Sequence, residues 1–455
     1  MASTQYTRTI ISALIIISSL LFGRVLAQST SNSPYSYFNI GELGGMDHAQ
    51  FIGIGNASIG VLDSTIINFY NPASYNQLAK NQPLFTTGIS SRLSTFSENE
   101  NDYFNSLTGL QNITLAFPVM DHFGFAFGVK PFSRKGFEFS TGETLDTDSI
   151  VYNYYGQGGV NEVYLGFSSD ILKIKNSRLA VGINAGYLFG ESTNFRTSGV
   201  YSSSSAIAGG LERRNFHLSS FHYELGSYFQ QRLGNHTVEA TFVYEPSQNL
   251  TGDYTYGLYY TANIETEAGL DTLNYFEERG SFSSAGRMKM GLTYKFLRKA
   301  NDENGFRLNS EYVLFGEYEQ QNWEDFSTSF SYNIGDPINT SRISLGVQFT
   351  PEIQIFEKST VLKFHERLKY RAGFYTRTLP YMNNGDQVSE LAGTFGVGIP
   401  IMIAKSLSSV NLGFSYGNRG TQDENALRET FYGINLGITI APGISERWFR
   451  KPKLN

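Results

Sequence analysis

Residues 287–296 read RMKMGLTYKF, and every second position carries a large apolar side chain. Arginine, lysine, glycine and threonine fill the positions between them. A period of two places the apolar side chains on one face of a β-strand and the polar or small ones on the other. Strands of soluble proteins average about five or six residues, whereas a tilted strand needs about ten to cross a bilayer. The stretch therefore predicts a membrane-spanning β-strand.

The same alternation recurs along most of the chain, for example at 343–349, 410–416 and 432–440. Short turns separate some of these rows and longer polar stretches separate others, as is typical of outer-membrane barrels. The predicted strand segments are 82–95, 110–119, 123–140, 158–171, 178–199, 213–233, 235–260, 281–297, 305–325, 339–353, 364–380, 389–403, 407–419 and 428–441. The predicted loops include 96–109, 141–157, 200–212, 261–280 and 326–338.

These rows define the fold class. In lipid, the backbone of such strands is satisfied only when the sheet closes on itself. We therefore predict an all-β protein, a transmembrane antiparallel β-barrel of about fourteen strands over residues 82–441. Twelve or sixteen strands remain alternatives, because neighbouring segments can merge or split. An even count places both termini on the periplasmic side.

The first 27 residues predict a cleaved secretory signal peptide. Arg8 precedes an apolar stretch from Ile10 to Phe22, and Val-Leu-Ala before Gln28 suits cleavage. An uncleaved membrane anchor is the alternative, but the apolar stretch is shorter than the roughly 20 residues of a helical span. An exported barrel of this kind is expected in the outer membrane of a Gram-negative cell.

Composition limits the chemistry. The 455 residues include no cysteine and carry a formal net charge of −6, which excludes disulfides and thiolate metal sites and gives no electrostatic case for nucleic acid. Neither a metal nor a cofactor is expected. A lipase-like pair of His217 with Ser219 or Ser220 can be drawn, but nothing marks one serine as activated. We do not expect an enzyme.

Residues 28–81 break the alternation. They are rich in glycine, serine and asparagine, yet they also contain apolar residues that favour burial, such as Phe51, Ile59 and Phe69. We expect this segment to form a hatch, or plug, inside the barrel lumen. A disordered periplasmic leader is the alternative.

Within that segment, an acidic residue and a serine, a short apolar run and then Asn71-Pro72-Ala73 follow a glycine-rich stretch. This arrangement resembles the N-terminal hatch of the FadL-like outer-membrane transporters, which also have fourteen strands. The resemblance implies uptake of hydrophobic small molecules such as long-chain fatty acids. It further implies that ligand passes the hatch and leaves through an opening in the wall at a kinked strand.

The third predicted strand contains a candidate for that kink. Pro131 cannot donate to the strand ladder, and Gly128 and Gly136 on either side permit a bulge.

Basic residues at polar strand positions are candidate contacts for a ligand in the lumen. They are Arg287, Lys289, Arg367, Lys369 and Arg371. The simpler interpretation is a structural ladder in which these cations pair with glutamates of neighbouring strands.

A second functional hypothesis stays open. The chain is then a non-transporting accessory barrel of an outer-membrane protein secretion or assembly complex, comparable to partners of type IX secretion. The expected partners are outer-membrane lipid together with either a hydrophobic ligand or a machinery protein. Residues 442–455 form a basic tail, which we expect to lie solvated in the periplasm, with docking to a partner as the alternative.

Overall fold

A computed structural model gives the structure of most of the chain. The described residues are 33–37, 41–44, 48–80, 82–98, 101–119, 122–145, 148–202, 205–261, 269–299, 310–323, 326–331, 337–351, 364–383, 385–401, 408–421 and 426–442. The predicted signal peptide and residues 443–455 of the predicted tail lie outside them. Within the described part of the chain, no helix is long and apolar enough to span a membrane.

Fourteen antiparallel strands form a closed barrel, in which each strand pairs with the next and β14 pairs with β1. The strands are β1 Leu84–Glu98, β2 Asn101–Pro118, β3 Phe123–Leu145, β4 Asp148–Lys173, β5 Ser177–Ser202, β6 Ser205–Leu233, β7 His236–Glu245 continued by Asn249–Thr261, β8 Asp271–Ser283 continued by Gly286–Arg298, β9 Ser310–Asn322, β10 Thr340–Thr350, β11 Lys369–Asn383, β12 Asp386–Pro400, β13 Ser409–Gly420 and β14 Arg428–Ile440. The predicted fold class and the count of fourteen are confirmed.

Several predicted loops are wrong, because the strands continue through them. β4 already begins at Asp148 and β6 at Ser205, so most of 141–157 and 200–212 is strand, and β2 and β8 likewise extend into 96–109 and 261–280. A hairpin that rises beyond the bilayer needs no lipid-facing apolar row. The alternation therefore fades there while the backbone pairing continues.

Two wall strands are interrupted at the same height. β7 breaks at residues 246–248, and β8 breaks at 284–285. Beside the first break, β7 loses its pairing with β6, and the side-chain amide of Gln248 makes two 3.0 Å hydrogen bonds with the backbone of Tyr223 instead. A polar side chain thus takes the place of a ladder residue.

The N-terminal segment, described at residues 33–37, 41–44 and 48–80, lies against inward-facing positions of strands far apart around the barrel. It contains the helix α1 (Ala49–Ile52), 3₁₀ turns at Pro34–Tyr37 and Pro72–Gln77, and a two-residue strand, Glu42–Leu43. Its apolar residues form the main buried cluster of the molecule.

Glycines of the wall let the segment approach closely. A Cβ added to Gly346 on β10 would lie 2.3 Å from the carbonyl oxygen of Ile54. On β5, a Cβ added to Gly182 would lie 2.4 Å from the carbonyl group of Pro72. Backbone meets backbone at both places, so neither side can yield by a change of rotamer.

We predict that Gly346→Ala lowers the free energy of unfolding by about 1–3 kcal/mol, because the added methyl group overpacks this contact. Gly393→Ala is the matched control, since a Cβ there meets nothing within 4 Å, and it should change stability by less than about 0.5 kcal/mol. Urea unfolding of the refolded barrel in lipid vesicles measures both. Equal stability of the two variants would contradict the close contact.

Candidate functional site

The wall has a seam between β2 and β3. These strands pair only from Ile113–Val129 to Pro118–Gly124, at the end of the barrel that carries the short turns. Beyond Val129, the only wall strand that pairs with β3 is β4, and the only one that pairs with β2 is β1, as far as the described strands go. The two strands therefore part at the point where β3 reaches Pro131.

The N-terminal segment supplies partners to the free edge of β3. Glu42 and Leu43 pair with Arg134 and Ser133 in antiparallel register. The amide of Gly44 donates to the carbonyl oxygen of Phe132 at 3.1 Å. A strand edge left by one wall neighbour is thus taken up by residues from inside the barrel.

Further contacts lie above and across the seam. Ser33 donates its amide to the carbonyl oxygen of Gly136 at 2.7 Å, and the hydroxyl of Ser36 accepts the amide of Gly136 at 3.0 Å. The guanidinium group of Arg134 reaches across the seam and donates to the carbonyl oxygen of Leu110 on β2.

A cavity of about 90 Å³ lies directly behind the seam. Gln111 of β2 and Pro131 of β3 border it from the two sides of the seam, and it also meets the breaks in β7 and β8. One end of it is apolar, and the other end is charged. Its apolar side chains include Leu43, Phe132, Leu250, Phe282, Trp323 and Phe326.

The charged end of this cavity consists of ion pairs. Lys130 lies 3.4 Å from both Glu162 and Glu224, and Arg287 pairs with Glu245. His222, just behind the lining, hydrogen-bonds Glu162 at 3.2 Å and Glu245 at 2.9 Å through its two ring nitrogens. Every cation that lines the cavity therefore has a carboxylate partner.

A second cavity, of about 140 Å³, adjoins the first and shares Leu43, Tyr70 and Trp323 with it. Its lining is more polar and includes four basic side chains. These are Arg287, Lys289, Arg342 and Arg377.

Glu42 joins the N-terminal segment by ion pairs to two further wall strands, β11 and β13. Its carboxylate lies 2.6 Å from Arg419 and 3.4 Å from Arg377. Burial alone would raise the pKa of Glu42, but these two guanidinium groups hold it below its usual value. Both arginines also pair with Glu390, so the anchor is part of a larger buried ion network.

The predicted hatch motif lies at a turn packed against the wall. The side chain of Asn71 accepts the amide of Ala73 at 3.1 Å and donates to the carbonyl oxygen of Ile59 at 2.9 Å. Pro72 occupies the first position of the following 3₁₀ turn, where its missing N–H costs nothing. The motif therefore caps a turn, and its position in the fold is structural.

The three residues of the predicted kink all lie at the seam. The register of β3 against β4 shifts between Pro131 and Ser133. Gly128 lies in the last stretch that still pairs with β2, where a Cβ would lie 2.5 Å from the carbonyl oxygen of Ile113. Gly136 lies above the bulge, at the contact with Ser36.

The predicted basic contacts are distributed rather than brought together. Only Arg287 lines the first cavity. Lys289 lines the second and pairs with Glu319 at 3.7 Å. Arg371 donates to the side chains of Gln348 and Asn411, while Arg367 lies in a 3₁₀ turn outside the strands.

Lys369 has a different role, because it pairs at 2.9 Å with Asp63 of the N-terminal segment. Burial alone would raise the pKa of Asp63, but this ammonium group and hydrogen bonds from Thr65 hold it below its usual range. Lys369 is thus a second fastening point for the segment.

The enzyme alternative gains no geometric support. The hydroxyl of Ser219 hydrogen-bonds the hydroxyl of Tyr187 at 2.5 Å, and no hydrogen bond joins His217 to either serine in the described part of the chain.

Sequence reasoning missed Glu42 and Trp323, which border the cavities from the segment and from the end of β9. Glu42 is the acidic residue of a short, non-alternating stretch, so no period draws attention to it. Trp323 is one of two tryptophans in the chain, and that rarity was the only available signal.

The model of one protein family, BamG, matches residues 8–455, nearly the whole chain. The chain belongs to the BamG family. No curated protein matches its sequence significantly.

Solved structures place this BamG-family chain among known folds. The toluene transporter TodX of P. putida matches with a TM-score of 0.52 and 14% identity, covering 87% of this chain and 99% of that one. A FadL homologue of Pseudomonas aeruginosa matches with a TM-score of 0.50 and 13% identity, covering 88% and 98%. The BamG-family chain therefore has a FadL-like outer-membrane transporter fold, which confirms the predicted resemblance at the level of the fold.

We predict that Glu42→Gln loosens the Glu42–Leu43 strand, because the amide cannot replace the charge facing Arg419 and Arg377. Amide hydrogen exchange of residues 132–136 should become at least about fivefold faster at pH 7. The control is Glu138→Gln, at an exposed position of β3, which should leave the exchange of residues 132–136 unchanged.

The same contact has a defined pH dependence. The pKa of Glu42 is lowered in the folded state. Its stabilising contribution is therefore complete above about pH 4.5 and is lost as the pH falls through the lowered pKa. Exchange in the unsubstituted protein should therefore approach that of Glu42→Gln in acid. A constant ratio between the two proteins from pH 7 to pH 3 would contradict the role of Glu42.

Proposed function

We propose that the protein is an outer-membrane channel for small hydrophobic molecules, which leave its lumen sideways through the seam between β2 and β3. The observation that carries the proposal is the apolar cavity directly behind that seam. In the proposed orientation the short turns and both termini face the periplasm, as is usual for such barrels.

The height of the seam supports an exit into lipid. Pro131 lies eight residues beyond Phe123, which corresponds to about 26 Å along the strand and, after tilt, about 20 Å above the short-turn end. The apolar band of an outer-membrane barrel is about 25 Å tall. The seam therefore begins inside the band, where an apolar molecule gains by leaving the lumen.

A straight path through the lumen would require the N-terminal segment to be displaced. The N-terminal segment contacts wall strands on several sides through buried backbone, and Asp63 and Glu42 fasten it by ion pairs. We propose that residues 28–81 act as a plug that stays in place while ligand turns towards the seam. Opening of the seam then requires the short Glu42–Leu43 strand to leave β3 and its ion pairs, while the pair of Asp63 with Lys369 and the backbone contacts keep the rest of the segment in place.

A disulfide between positions 43 and 133 tests this. Leu43→Cys and Ser133→Cys occupy partnered positions in an antiparallel pair, at a distance a disulfide can span, and the chain has no other cysteine. We predict that oxidation slows entry of the hydrophobic probe N-phenylnaphthylamine into cells at least fivefold. Reduction should restore the rate.

The control pair is Ser177→Cys with Gln231→Cys, which are partners on β5 and β6 away from the seam. Its oxidation should leave the rate of probe entry unchanged. Equal rates for the oxidised and reduced forms of the 43–133 pair would overturn the lateral route.

A second candidate function is a non-transporting accessory barrel of an outer-membrane secretion or assembly complex. The observation in its favour is the filled lumen. The cavity behind the seam and the one that adjoins it measure only about 90 and 140 Å³, and their cations are neutralised by carboxylates. Small-molecule sites usually measure about 300–1,000 Å³.

The locked barrel separates the two functions. In cells depleted of the protein, we would measure the amounts of other β-barrel proteins in the outer membrane after supplying the oxidised 43–133 variant. Full restoration of their levels by a barrel that no longer admits the probe would favour the accessory function. Normal levels throughout depletion would exclude it.

A further inference from the structure

Each cation that lines the cavity behind the seam is already paired with a carboxylate. The lining includes Lys130 and Arg287 against three carboxylates, and each of these cations already lies against at least one of them. His222 donates to two of the carboxylates only when both ring nitrogens carry a proton, so the group is neutral at most and otherwise negative. A ligand carboxylate entering here would lose its hydration without gaining a countercharge.

That loss is large compared with what the apolar end offers. Removing an ionised group from water without a partner costs several kcal/mol or more, whereas a buried methylene group gains only about 0.8 kcal/mol. A ligand ammonium group meets the same difficulty, because Lys130 and Arg287 already occupy the carboxylates. An uncharged ligand escapes both costs.

The apolar end carries one polar group without a partner. The indole N–H of Trp323 is buried, with the side chain only 5% exposed, and has no hydrogen-bond partner in the described part of the chain. Trp323 borders the cavity together with Phe282 and Phe326. The indole nitrogen is covered by protein atoms, so an acceptor on a ligand reaches it only when the lining moves, and the hydrogen bond formed then satisfies a donor that is otherwise unpaired.

We propose that this cavity is a binding site for small, uncharged, largely apolar molecules that carry one hydrogen-bond acceptor for Trp323, and that it discriminates against carboxylates. The inference rests on the proposed function and deepens it, because it names the class of molecule that passes the seam. The ligand inferred here is a neutral molecule with about one aromatic ring, and not the anion of a long-chain fatty acid.

Size agrees with this class. A dry cavity of about 150 Å³ can hold benzene in a protein core. The cavity here measures about 90 Å³ and is bordered by Leu43 of the short Glu42–Leu43 strand and by the seam. One ring fits after a small movement of the lining, whereas an extended acyl chain does not.

Binding to this cavity can be measured through the fluorescence of Trp323. Trp448→Phe leaves Trp323 as the single tryptophan, and bromine quenches its fluorescence on contact. The probes are four compounds of similar size, 4-bromobenzyl alcohol, 4-bromobenzoate, 4-bromobenzylammonium and 4-bromotoluene. They are titrated at pH 7.5 against the folded, full-length barrel in detergent.

We expect the alcohol to bind at least tenfold more tightly than either charged probe, and severalfold more tightly than 4-bromotoluene, which offers no acceptor. Binding of the benzoate as tight as that of the alcohol would overturn the inference while leaving lateral transport intact. Absence of quenching by all four would overturn both the site and the part that the cavity plays in the proposed function.

Two alanine-to-leucine variants test whether the quenching arises from binding in this cavity. Ala285 is buried in its lining, so Ala285→Leu should fill the space and weaken binding of the alcohol at least fivefold. Ala372→Leu, at an exposed position of β11, is the control and should not change it. If Ala285→Leu fails to fold, the order of affinities of the four probes for the Trp448→Phe protein still decides the question.

Discussion

The structure depends on one constraint, which is that backbone groups at membrane depth need hydrogen-bond partners. Thirteen of the fourteen neighbouring strand pairs meet it mainly with each other, and β2 and β3 do so only up to Val129. Beyond that point, Glu42 and Leu43 approach from the lumen and pair with β3, and Ser33 and Gly44 donate backbone hydrogen bonds to it. The wall and the N-terminal segment are therefore not independent parts, because the segment completes the sheet where the wall does not.

The arrangement also explains why the charged side chains in the lumen are paired. A segment that completes the sheet must be held in place, and the apolar packing of its glycine-rich backbone is reinforced by Glu42 with Arg419 and by Asp63 with Lys369. Buried cations and carboxylates tolerate the lumen only as pairs. The same requirement that fixes the segment thereby removes free positive charge from the cavities, and so shapes what can bind in them.

The alternation of apolar residues was enough to predict the fold and to number its strands, because lipid imposes a period of two. It failed at 141–157, where paired strands carry polar and apolar side chains without a period of two. Pro131 drew attention through the missing N–H of proline rather than through the period, and the register of β3 against β4 shifts directly after it. The alternation could not place Glu42 or Trp323, whose roles arise from contacts between distant parts of the chain. The pairing of Lys369 with Asp63, 306 residues apart, shows the same limit.

The seam also explains why one geometry accommodates two functions. An edge of β3 that pairs with only a two-residue strand has few backbone hydrogen bonds to break when it exchanges partners, and the ion pairs of Glu42 with Arg419 and Arg377 supply the main resistance. If the departing strand leaves space, an apolar ligand moves from the cavity into lipid. If another extended chain takes the edge, the barrel binds a protein instead. The filled lumen and neutral cavity restrict the first outcome to small uncharged molecules, so the selectivity of the cavity and the freedom of Glu42–Leu43 decide between them.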